Sequence, residues 1–86
     1  MDQLKVLKEI FRTADISPVF RPNPTFALEI GDDLPYISLS DVLENRYCIR
    51  LMPEGSEDHF PYTRNAALLK EYPSLEALVL DGWELD

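Results

Sequence analysis

The sequence predicts an α+β fold: a small, mostly antiparallel sheet of three to four strands, with an N-terminal and a C-terminal helix packed on one face. Three observations carry that prediction. Apolar residues recur at helical spacing over residues 2–14 and again over 63–72. Residues 25–30 alternate apolar and polar as a half-buried strand does, and residues 47–52 read as a central strand. Finally, 86 residues with 45% hydrophobic content suit one small domain, of a size that buries about 60–65% of its unfolded surface.

The first helix places Leu4, Leu7, Ile10, Phe11 and Ala14 on one face, with Asp2 positioned as its cap. Lys5, Lys8, Glu9 and Arg12 project from the other face, the basic residues clustering toward the middle and C-terminal half, where the helix dipole tolerates them. Pro18, Pro22 and Pro24 then impose an extended connector, from which Val19 and Phe20 are expected to reach the core. Arg21-Pro22-Asn23-Pro24 lacks the repeating register of a polyproline ligand and reads as part of that connector.

Phe26, Leu28 and Ile30 share one face of the expected strand at 25–30, and Gly31-Asp32-Asp33 turns the chain toward a second strand at 36–39. Ser40 to Glu44 reads as a short helix capped by Ser40, with a strand continuing through Leu43 as the competing reading. In the central strand, Tyr47, Ile49 and Leu51 oppose Cys48, Arg50 and Met52, and Pro53 stops it. A polar loop over 53–62 leads to a helix capped by Thr63 or Asn65 and ended by Pro73 and Ser74. Residues 74–86 fit either state: Leu75, Leu78 and Val79 suit a helix, whereas 77–80 followed by Asp81-Gly82 suits a strand and turn. The strand is favoured, because Pro73 would separate two helices awkwardly. The solvent face of the sheet would then show Glu29, Ser38 and Arg50.

The run from Leu69 to Gly82 resembles one unit of a leucine-rich repeat, in which a helix leads through a Pro-containing turn into L-x-x-L-x-L. Leu75, Leu78 and Leu80 hold the leucine positions, and the resemblance implies that all three point into a core. It covers one unit only, whereas a solenoid stacks at least about three.

Charge is distributed unevenly. The formal net charge is −8, yet the first 22 residues carry Lys5, Lys8, Arg12 and Arg21 against Asp2, Glu9 and Asp15, a net of +1. The remaining 64 carry thirteen acidic side chains against four basic ones, a net of −9. Such a field disfavours direct binding to nucleic acid or an anionic membrane, and favours a basic protein partner. No apolar run approaches the ~20 residues of a membrane helix. The N-terminus lacks the unbroken apolar stretch of a secretory signal, and Cys48 is the only cysteine, so a cytoplasmic location is expected.

Catalytic chemistry finds little support. Glu54, Glu57, Asp58 and His59 cluster on one loop, but their spacing matches no EF-hand and no second histidine completes a zinc motif. The expectation is a solvated acidic loop with no metal and no cofactor. Cys48, in the most strand-like segment, reads as a small buried hydrophobe rather than as the nucleophile of a Cys48–His59 pair. Asp32-Asp33 with Glu57-Asp58 could in principle form a carboxylate pair, although a chain this short has little room for a deep cleft. The glycines are too scattered to cradle phosphate.

The expected function is therefore a non-enzymatic, acidic protein-binding module of the inhibitor, immunity or phage-factor type. Its partner-binding residues would be Asp32, Asp33, Glu54, Glu57, Asp58, Asp81, Trp83, Glu84 and Asp86, with Trp83 either lidding the core or anchoring the partner. The alternative is a structural subunit acting as a homo-oligomer, a homodimer included, through the first helix or an exposed strand edge.

Overall fold

The computed structural model describes residues 2–13, 17–53 and 67–86. Its elements run α1 (Gln3–Thr13), a 3-10 turn (Pro24–Phe26), α2 (Ala27–Ile30), β1 (Leu34–Ile37), α3 (Leu39–Leu43), β2 (Tyr47–Met52), β3 (Ala67–Tyr72) and α4 (Leu75–Leu80). The three strands form one antiparallel sheet in the order β1-β2-β3. With helices at both ends of the chain, the architecture is α+β.

The first helix forms as its sequence dictates. Asp2 Oδ1 accepts from the Leu4 amide at 3.1 Å, while the Asp2 carbonyl accepts from Val6, so Asp2 is the cap. Leu7 is fully buried, and Leu4 and Phe11 pack beside it. Ala14 lies outside the described residues. Downstream, the proline-rich connector is extended as expected: Phe20 donates to the Pro35 carbonyl at 2.9 Å and Ile37 donates to the Pro18 carbonyl at 3.1 Å. This short ribbon closes the outer edge of β1. Phe20 is fully buried and bridges onward to Leu85.

Residues 25–30 are helical, not the expected strand. Asn23 caps the turn by accepting from the Thr25 amide at 3.1 Å, and Pro24 occupies the first helical position, where its missing amide costs nothing. The spacing of Phe26 and Ile30 suits both a strand and an i,i+4 helix pair, so Leu28 is the residue that distinguishes them. It is 97% exposed, while Ile30 is buried and Phe26 packs on the core. Gly31, at φ 55° and ψ −124°, then turns the chain in a conformation that side chains resist.

The strand expected at 36–39 begins two residues earlier, and Leu39 belongs to α3. Ser38 rather than Ser40 stands at the N-cap position of α3, where its carbonyl accepts from the Asp41 and Val42 amides, and the Leu39 amide donates to Ser17 Oγ at 3.3 Å. The short helix itself is as expected, and β2 matches its predicted span.

The two C-terminal segments exchange their expected states. Residues 67–72, read as a helix, form β3, because pairing with β2 overrides the helical propensity of Ala-Leu-Leu-Lys-Glu. A bulge hides the strand signal: Ile49 pairs with Lys70 and Arg50 with Leu68, leaving Leu69 as the extra residue, packed against the core. Residues 77–80, read as a strand, belong to α4, which Ser74 caps by accepting from the Ala77 amide at 3.1 Å. Leu75 and Leu78 are buried, but Leu80 is 86% exposed, so the inward leucine set of a leucine-rich repeat is not formed.

One core results. α1 packs against α4, and α4 against β3. Leu7, Phe20, Ile30, Leu75, Leu78 and Trp83 meet Ile37, Ile49, Leu51 and Tyr72 of the sheet. The opposite face of the sheet is not the solvent face expected from the sequence. Ser38, Cys48 and Arg50 are buried there with α3 packed on β2, and Glu29 belongs to α2 rather than to the sheet.

Candidate functional site

Strand register decides which of the acidic turns come together. Leu34 pairs with Met52. On the other side of β1, the pairing of Val19 with Tyr36 continues to put Arg21 level with Leu34, and Arg21 donates to the Glu84 carbonyl at 2.8 Å. Glu84, Arg21, Leu34 and Met52 therefore form one row across the end of the sheet. Asp33 enters β1 immediately beyond that row, and Pro53 leaves β2 there toward the connection that contains Glu54, Glu57 and Asp58. Those three acids and His59 lie outside the described residues. Asp32 is exposed and Asp33 half-buried.

The row is not purely acidic. Arg21 lies 4.0 Å from the Glu84 carboxylate, both side chains being largely exposed, so the pair is weak and solvent-screened. A shallow groove of about 380 Å³ opens beside Arg21, Gly82 and Glu84. Asp86 is exposed two positions further in, where its amide donates to the Val19 carbonyl at 3.1 Å.

Asp81 does not join this row. Its carboxylate accepts from the Tyr72 hydroxyl and lies 3.5 Å from Lys70 Nζ, while its carbonyl accepts from Asn23 Nδ2 at 3.0 Å. The Tyr72 hydrogen bond holds the Asp81 carboxyl below the ordinary aspartate range, with Lys70 adding to the effect. Tyr72 itself is pushed up to about 12, first by burial and then by its bond to Asp81. Trp83 Nε1 donates to the same hydroxyl at 2.9 Å.

Trp83 is fully buried and is the core lid rather than a projecting anchor. It stacks on Phe26 at 5.4 Å between centroids and meets Phe20 edge-on at 6.0 Å. Gln3 clasps the backbone around it, donating to the Trp83 carbonyl and accepting from the Leu85 amide at 2.8 Å. Lys70 Nζ sits over the rings of Phe26 and Tyr72, at 5.7 and 5.1 Å. An aromatic ring therefore offers no surface to a partner at position 83.

The sequence reading missed a buried ion pair. Arg50 Nε and Nη2 reach Asp41 Oδ2 and Oδ1 at 2.7 and 3.2 Å, with 9% and 5% of the two side chains exposed. The signal was present, since an arginine in the middle of the most apolar strand needs a partner. Cys48 is buried beside it, and burial pushes its thiol up, away from the thiolate that nucleophilic chemistry requires. Among the described residues, no group of three or more His, Cys, Asp or Glu side chains could hold a metal, and no helix is long and apolar enough to cross a membrane.

No protein-family model matches this chain, and neither the curated proteins nor the solved structures contain a match to it.

Proposed function

We propose that this chain is a non-enzymatic protein-binding module that docks on a basic surface of another protein, as an inhibitor or immunity-type factor does. The observation behind the reading is the sheet register, which aligns Asp32-Asp33, the exit of β2 into the acidic connection, and Glu84 at one end of the molecule. Acids gathered on one end steer a basic partner, whereas acids scattered over the surface serve solubility alone. The working face comprises Asp32, Asp33 and Glu84, with Asp86 beside it. Asp81 is occupied by Tyr72 and Lys70, and Trp83 by the core.

Affinity capture from the source cell, at low and high salt, tests this. The expected result is a basic protein retained at low salt, released by salt, and lost by an Asp32→Lys/Asp33→Lys/Glu84→Lys variant that still folds. No retained partner, or retention indifferent to both salt and charge reversal, overturns it.

A second reading, a homo-oligomeric subunit, has one observation in its favour. Among the described residues, β3 is an edge strand of the three-stranded sheet, with Ala67, Leu68, Lys70 and Glu71 exposed. A monomer by light scattering at high micromolar concentration removes this reading.

A further inference from the structure

We draw no further inference here: the strongest candidate, an apolar groove of about 430 Å³ along the flank of α1 beside Val6 and Ile10, carries nothing because nothing in the structure shows what covers it.

Discussion

Arg50 and Asp41 illustrate how much one buried pair can decide. Both side chains are held largely out of water and bond each other twice, so removing either takes the bidentate partner from a buried ion. Arg50→Ala, which takes the bidentate partner from the buried Asp41 carboxylate, is expected to lower stability by about 3–5 kcal/mol in urea unfolding. A nearly neutral Arg50→Ala would contradict the pairing. Tyr72 makes a second, pH-dependent statement at this scale. Its hydroxyl is favoured neutral in the folded state, so the stability it contributes is complete below the ordinary tyrosine value of 10.0 and is lost as pH rises toward about 12. Tyr72→Phe should therefore show a shallower loss of melting temperature than the parent between those two pH values. Asp81 works in the opposite direction. Its lowered carboxyl stabilises the fold above the ordinary aspartate range, and that contribution disappears as pH falls through its folded value.

At the scale of elements, the helix at 27–30 and the cap of α4 are the sharpest tests. If residues 25–30 were a strand, Leu28 and Ile30 would be buried together. In the helix they are not, so Leu28→Lys should change stability by no more than about 0.5 kcal/mol, whereas Ile30→Ala should cost about 2–5 kcal/mol. Ser74→Ala removes the side-chain acceptor for the Ala77 amide and should cost about 1 kcal/mol in chemical unfolding, with Ser74→Asp retaining the cap. The elements legible in the sequence were those whose signal is local. Asp2 before the Leu4-Leu7-Phe11 face announced α1, and the apolar run closed by Pro53 announced β2. β3 was illegible because its bulge at Leu69 destroys period-two alternation, and because its residues favour a helix wherever no neighbouring strand is available.

The molecule as a whole is tied together at its ends. Gln3 on α1 bonds the backbone on both sides of Glu84, at the Trp83 carbonyl and the Leu85 amide, and the segment 84–86 pairs with the 19–21 ribbon that closes β1. Gln3→Ala should therefore accelerate amide exchange at Leu85 and cost about 0.5–1.5 kcal/mol for each bond lost. Electrostatics also acquires meaning only at this scale. Of the thirteen acids in residues 23–86, Asp41, Glu71, Glu76 and Asp81 are paired internally, with Arg50, Arg46, Lys8 and Lys70, while Glu84 meets Arg21 only at 4.0 Å. The acids at the Leu34–Met52 end carry less of that internal pairing, which is why the binding proposal rests on them.

Composition and local spacing determined the α+β class, the capped first helix, the central strand and the acidic excess, because each of these follows from interactions within a few residues. Tertiary structure decided the rest. Whether 67–72 becomes strand and 75–80 helix depends on β2 offering hydrogen bonds that local propensity does not contain. Whether acids form a face or a scatter depends on register, since pairing Leu34 with Met52 and Arg21 with Glu84 brings together turns more than fifty residues apart.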